Sequence, residues 1–261
     1  MSANSQRVLV TAGGSGIGKA IAQAFLENGA RVHIADVDSD SVATFVSENE
    51  DLGGTVADVT SEVDVKRAVD DARTNFGGDI NVLVNCAGIG GPATFVEDLD
   101  YEDWRRCIAV NLDGTFLFTR AVIAAMKSAG SGSIVNISST AGLYGYPLRS
   151  AYASAKWGII GFTKSMAMEA GPSGVRVNAI CPGSINGERM DAVISNEAQA
   201  KGISEETIRD RYRKTCSLRT FIDASDIADM AVYLASDAAR RVSGQAISVD
   251  GHIENPGGLD E

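Results

Sequence analysis

A chain of 261 residues carrying 34 acidic and 23 basic side chains, for a net charge of -11 at pH 7, repels polyanions. That excludes nucleic acid and anionic membrane as main partners. With no Pro/Ser-rich linker to divide it, this length suits one α/β domain over residues 1–261. Four scattered cysteines and two histidines form neither a zinc-ligand spacing nor a disulfide framework, so we expect no metal site and a cytoplasmic setting, and no apolar run is expected to reach membrane-spanning length.

Val8, Leu9 and Val10 form a β-rich run. The turn Thr11 to Gly18 (TAGGSGIG) then passes into a helix with Ile17, Ala20, Ile21, Ala24 and Phe25 at helical spacing. Strand, glycine turn, helix is an arrangement in which backbone approaches a phosphate and helix amides meet its charge. Gly13, Ser15, Gly16, Ile17 and Gly18 are the residues placed to do so. The next strand, Arg31 to Ala35, ends in Asp36 and Val37. An acid there accepts bonds from ribose hydroxyls and repels a 2′-phosphate. No basic residue stands in the turn before Lys19 or directly after Asp36, which favours NAD over NADP; alternatively, Asp36 only caps the next turn.

A helix with Val42, Phe45 and Val46 leads to a short strand, Thr55 to Ala57, ending in Asp58 and Val59. Thr60 or Ser61 can cap the helix of Val65, Ala68, Val69, Ala72 and Phe76. Ile80 to Val84 reads as a strand buried on both faces, followed by Asn85, Cys86, Ala87 and Gly88. One long helix is expected from Asp100 to about Ala129. Asn111 interrupts its apolar stripe, either bridging to backbone or serving as a functional polar group. Ile134, Val135 and Ile137 then form a strand ending in Ser138 and Ser139. The helix after it, resuming near Ala151, carries Tyr152 and Lys156 on one face. An ammonium beside a phenol favours phenolate and so a general acid/base, although the same spacing occurs on helices whose tyrosine is core and whose lysine is solvated.

Val175 to Ile180 gives a sixth strand, ending in Cys181, Pro182 and Gly183. The polar, helix-prone stretch 184–220 reads as a substrate lid or as a solvated excursion with packing duties only. Asp223 opens a last helix, and Ala246 to Val249 is a seventh strand. This alternation predicts a Rossmann-type, doubly wound, seven-stranded parallel sheet with helices on both faces. Ligands of such sheets bind at the carboxyl ends of the strands, where the glycine turn, Asp36, Asp58, Asn85, the Ser138-Ser139 pair and Gly183 all fall.

On these residues the chain resembles, from about Arg7 to Gly251, the short-chain dehydrogenase/reductase family in its short single-domain subtype. The family's TGxxxGIG motif is matched by Thr11 to Gly18, with Ala12 in place of the first glycine. Alanine does not readily take positive φ, so a slight loop shift is expected. The NNAG motif is matched by Asn85 to Gly88 with Cys86 for the second asparagine, the adenine-pocket pair by Asp58 and Val59, and the PG motif by Pro182 and Gly183.

The resemblance implies a catalytic set of Asn111, Ser139, Tyr152 and Lys156, with Ser139 chosen over Ser138 by its spacing from the tyrosine. By implication Tyr152 takes the alcohol proton, Lys156 binds the nicotinamide ribose and lowers the tyrosine pKa, Ser139 holds the substrate oxygen, and Asn111 holds a relay water. Backbone at Ile185 would replace the family's threonine after PG. A homotetramer joined through the Asn111 and Tyr152 helices and the C-terminal strand region is implied as well. By position Ala141, Tyr146, Arg149, Gly183, Arg189, Met190 and Ile194 line the substrate pocket. The two arginines raise the possibility of a polyol, sugar-derived or hydroxy-acid substrate, or they form surface or lid salt bridges. The leading expectation is an NAD-dependent enzyme interconverting a secondary alcohol and a ketone. The alternatives are an NADPH-dependent 3-oxoacyl carrier-protein reductase and a redox-inactive, NAD-sensing binding protein.

Overall fold

In the computed structural model, which describes residues 6–253 and all their side chains but those of Arg189 and Ala200, seven parallel strands form one sheet. They are β1 (Arg7–Thr11), β2 (Arg31–Asp36), β3 (Leu52–Val56), β4 (Val82–Asn85), β5 (Gly132–Ile137), β6 (Val175–Pro182) and β7 (Ala246–Val249). Their spatial order is β3-β2-β1-β4-β5-β6-β7. The order therefore reverses between β1 and β4, which opens a crevice at the strands' carboxyl ends.

Side-chain alternation along each strand builds two cores. Val8 and Val10, Val82 and Val84, and Val135 and Ile137 point to one face. There they meet Ile21 and Phe25 of α1 (Gly16–Glu27), Phe45 of α2 (Ser39–Ser47) and Ile227 and Leu234 of α9 (Ala224–Ala235). Leu9, Leu83 and Ile134 point the other way, onto Val65 and Val69 of α3 (Glu62–Phe76) and Phe118 and Val122 of α5 (Gly114–Ala129). Asn85 and Asn136 share this second face, so their amides are carried toward α5 and α6 (Ser150–Ala170).

Three elements depart from the sequence reading. The third strand starts at Leu52 rather than Thr55 because Gly53 and Gly54, which usually weaken a strand, belong to it. A Cβ on Gly53 would lie 1.8 Å from Asn75 Nδ2. β6 continues to Pro182, beyond the expected end at Ile180. The long helix expected from Asp100 to Ala129 is two helices, α4 (Tyr101–Ile108) and α5, joined by a π-helical turn at Ala109–Asp113. Taken as one run, Tyr101–Ala129 has the length and hydropathy of a membrane span, contrary to expectation. Here it packs on the sheet, with Leu117, Phe118, Val122 and Met126 buried.

The stretch after β6 forms α7 (Glu188–Lys201) and α8 (Glu205–Lys214). These enclose a small core of their own, made of Ile194, Ala198, Ile208 and Phe221. Two sets of bonds join this stretch to the body: Ile222 donates its N–H to the Ser184 carbonyl (2.9 Å) and Asn186 to the Ile222 carbonyl (2.8 Å), while Ser217 and Leu218 donate theirs to the carbonyls of His252 (3.0 Å) and Gly251 (3.1 Å) after β7.

At the other edge of the sheet, a chain of polar groups, buried at His33 and Thr55 and exposed at Asp71 and Asn75, fastens β2 to β3 and α3. Thr55 donates its hydroxyl to Asp71 (2.7 Å) and therefore accepts from His33 Nε2 (2.9 Å). That leaves Nδ1 facing the Asn75 amide (3.4 Å). Burial lowers the His33 pKa from 6.5 to about 4, against an opposing pull from the Asp71 carboxylate. Unfolded chains then take up the proton first as pH falls, so stability is full above pH 6.5 and is lost toward pH 4. We expect this group to remove about 3 kcal/mol over that window. Urea unfolding across pH, compared with His33→Gln, checks this; parallel pH dependences would refute it.

Candidate active site

The crevice at the switch point holds a cleft of about 800 Å³, running from Asp36 and Val37 past Asp58 and Val59 to Ala87 and Gly88. Asp36 Oδ2 accepts from the Gly14 N–H (2.9 Å) and Oδ1 from the Asp38 N–H (3.1 Å). Its carboxylate thus fixes the glycine turn, while the cap of α2 comes from Asp38. Thr11, to which the sequence reading gave no role, ties the two sides of the crevice together. Its Oγ1 accepts from the backbone N–H of Cys86 (2.9 Å) and Ala87 (3.1 Å). Its position at a strand end, in register with the glycine turn, was the available signal.

The cleft fits a dinucleotide. At the start of α1, Ser15 makes no side-chain cap bond, and no acid occupies the first turn. The first amides and the positive end of the helix are therefore left for an anion. Gly16 sits at φ +51° with nothing within 4 Å of where a Cβ would be. Gly13 and Gly18 serve packing instead, since a Cβ would lie 2.4 Å from Ile34 Cγ2 or 1.9 Å from the Ala12 carbonyl oxygen. Ile17 packs partly buried against the first core. Asp58 caps its own turn by accepting from Thr60 N and Oγ1, both at 2.8 Å.

At the inner end of the cleft the reactive side chains converge. A methyl on Gly88 would stand 2.5 Å from Asn111 Oδ1 and 3.2 Å from Lys156 Nζ. The Lys156 ammonium is buried, donates to the Ile137 carbonyl (2.9 Å) and lies 5.6 Å from the Tyr152 ring centroid. Ser139 Oγ accepts from the Ala141 N–H (3.1 Å), which leaves its O–H to donate. Asn111 sits at the middle of the π turn, where carbonyls lose their usual i→i−4 partners. Its amide donates to the carbonyls of Cys107 and Ile89, each at 2.8 Å, and Thr115 donates to the Asn111 carbonyl (2.8 Å). Asn111 Oδ1 is buried without a partner. The amide thus bridges to backbone and still presents a polar atom to the site.

Asn85 lies beneath this set rather than in it. Its amide donates to Asn136 Oδ1 (2.8 Å) and Thr119 Oγ1 (3.1 Å), and Asn136 donates on to Thr163 (2.9 Å). Three thiols, those of Cys86, Cys107 and Cys181, feel the Lys156 charge. Burial raises all three pKa values, Cys86 to about 12 and Cys181 to about 11, with the Lys156 charge acting the other way. They behave as small apolar groups at neutral pH.

The substrate side is less unified than the sequence reading had it. Ala141 is buried in the turn after Ser139, and Gly183 packs on Asp250, where a Cβ would lie 2.9 Å from its Cα. Ile185 bridges to Ile222, where the stretch of α7 and α8 joins the body. Tyr146 is 43% exposed. Arg149 donates through Nη1 to the carbonyls of Gly90 (3.1 Å) and Gly91, so it shapes the loop after β4. One expectation needs correction: Ile194 is fully buried in the core that α7 and α8 share, because that helical pair must bury an apolar face of its own. Met190 is partly buried against the same core. The side chain of Arg189 lies outside the described residues.

Ala12 adopts φ +51°, so the turn keeps the glycine conformation and does not shift. For an L-residue this costs about 1–2 kcal/mol, offset by roughly 0.5–1 kcal/mol of unfolded-chain entropy that glycine would add. Ala12→Gly is therefore expected to raise stability by about 0.5–1 kcal/mol in denaturant unfolding. A loss of stability would refute the assignment of strain.

The family model described as enoyl-(acyl carrier protein) reductase matches residues 11–252. Over 254 residues the chain is 38% identical to 2-(S)-hydroxypropyl-CoM dehydrogenase 3 of Xanthobacter autotrophicus, with 94% of each chain covered. It is 37% identical to D-beta-hydroxybutyrate dehydrogenase of Rhizobium meliloti, with 95% of this chain and 98% of that one covered. The solved structure of NAD+-bound xylitol dehydrogenase superimposes with a TM-score of 0.88 at 28% identity, over 94% of this chain and 97% of that one. With the site geometry above, these likenesses place the chain in the short-chain dehydrogenase/reductase family, as a nicotinamide-dependent oxidoreductase acting on CH–OH groups.

Proposed function

We propose that the protein is an NAD-dependent dehydrogenase that interconverts a secondary alcohol and a ketone, with Tyr152 as the general acid/base. One observation carries this reading: a buried ammonium, Lys156, faces the Tyr152 ring at the strand end where Ser139 keeps a donor hydroxyl. The cation favours the phenolate, which accepts the alcohol proton in the oxidative direction and returns it in the other. The Ser139 O–H holds the substrate oxygen, stabilising charge that develops there. Asn111 Oδ1, unpartnered beside Lys156, supports a bound water through which the proton reaches solvent. When bound, the nicotinamide supplies the hydride acceptor or donor. Gly16, the open amides of α1, Asp36, Val37, Asp58, Val59, Ala87 and Gly88 are the residues that would hold it.

Asp36 supports NAD over NADP. Its carboxylate is locked at the end of β2 by two backbone donors, where it would meet ribose hydroxyls and repel a phosphate. For substrate we favour a small hydroxy acid or polyol, on the likeness to a β-hydroxybutyrate dehydrogenase and a xylitol dehydrogenase. The exposed faces of α5 and α6, with Phe116 edge-on to Phe162 and Trp157 half exposed, support a homotetramer built on these helices.

Initial rates with NAD and NADP across polyols, hydroxy acids, sulfonated alcohols and hydroxysteroids test the reading. A clear preference for NADP would refute the cofactor assignment. Tyr152→Phe is expected to lower kcat by roughly 10²–10⁴-fold; unchanged turnover would refute the chemistry.

A further inference from the structure

Ser138 is buried one residue before the hydroxyl assigned to substrate, yet nothing in the mechanism above uses it. Strand alternation gives it the same face as Asn136, toward α6. Asn136 donates to Thr163 and Ser138 donates its hydroxyl to the Lys156 carbonyl (2.9 Å). Residues 156 and 163 are two turns apart on one side of the helix, so the end of β5 grips α6 at two rungs. The backbone of Ser138 is itself fixed, because its N–H donates to the Ile180 carbonyl (2.7 Å) and prolongs the β5–β6 ladder.

Lys156 is thereby held at both ends by two consecutive residues. Its ammonium donates to the Ile137 carbonyl and its own carbonyl accepts from Ser138. Gly142 makes room for the second bond. A Cβ there would stand 2.5 Å from Ser138 Oγ and 2.8 Å from the Lys156 carbonyl oxygen, so only glycine lets the turn Thr140–Gly142 pass over the bond without pushing it apart. Tyr152 lies one turn before Lys156 and Ser139 one residue after Ser138, so a single hydrogen bond spans both parts of the site.

We infer that Ser138 is a positioning residue: its hydrogen bond to the Lys156 carbonyl sets the height of α6 on the end of β5, and with it the placement of the ammonium against the Tyr152 phenol and of that phenol against Ser139. The inference rests on the proposed role of Tyr152. It assigns no contact with substrate to Ser138. Without the bond, the helix segment of Lys156 gains freedom relative to Ile137, the average attraction between ammonium and phenolate falls, and the phenol holds its proton to higher pH.

The Tyr152 titration can be read without substrate, as near-ultraviolet phenolate absorbance of each variant minus that of the same variant carrying Tyr152→Phe. Ser138→Ala deletes the donor and Gly142→Ala displaces it. Each is expected to raise the Tyr152 midpoint by about half a pH unit or more. The double variant should move no further than the larger single change, because both act through one bond. NADH binding followed by fluorescence selects protein that is folded. A Ser138→Ala protein that binds NADH with an unchanged midpoint would overturn the inference, as would additive shifts in the double variant. If Ser138→Ala does not fold, Gly142→Ala decides alone by the same midpoint. Failure of the Tyr152→Phe turnover test is a separate result, since it bears on which group moves the proton and not on what places Lys156.

Discussion

A buried ammonium must be surrounded by acceptors or give up its charge, and Lys156 meets this requirement at the carboxyl end of β5. The Ile137 carbonyl accepts a hydrogen bond from it. That contact places the cation beside the Tyr152 ring and near Gly88, where the dinucleotide cleft ends. Glycine at 88 follows from the same constraint, since any side chain there would intrude between Asn111 Oδ1 and the ammonium. Burial keeps the nearby thiols of Cys86, Cys107 and Cys181 protonated, so none of them competes as an anion for the charge.

The π turn at Ala109–Asp113 solves a related problem. A regular helix would satisfy the Cys107 and Asn111 carbonyls from its own backbone and leave Asn111 to face the crevice as an ordinary side chain. Widening the helix by one residue shifts those carbonyls, which accept from the Asn111 amide and the Thr115 hydroxyl. The result is a rigid asparagine whose amide nitrogen is fully used and whose oxygen remains available. The two readings of Asn111 that the sequence left open, structural bridge and functional group, are therefore one arrangement.

Most of the fold was legible because its signals are local and periodic. Alternation such as Val8-Leu9-Val10 assigns strand faces directly, and Ser61 and Asp100 stand at helix caps. The failures have specific causes. Gly53 and Gly54 hid the start of β3, since the close approach of Asn75 that requires a glycine is a tertiary fact. The break between α4 and α5 has no glycine or proline within it. It depends on side-chain donors meeting carbonyls from another loop, which no periodicity reports. In the site, the Tyr152-Lys156 spacing was visible in the chain, whereas Ser138 was passed over on its spacing from the tyrosine, and its partner, a backbone carbonyl eighteen positions away, leaves no mark in the sequence.

Ile194 was misplaced for a reason that lies in packing. It was placed in the pocket as an apolar residue following β6, but a helical pair set outside the sheet must bury an apolar face of its own to be stable at all. That private core lets α7 and α8 keep their shape without help from the sheet, whose two cores are built from other residues.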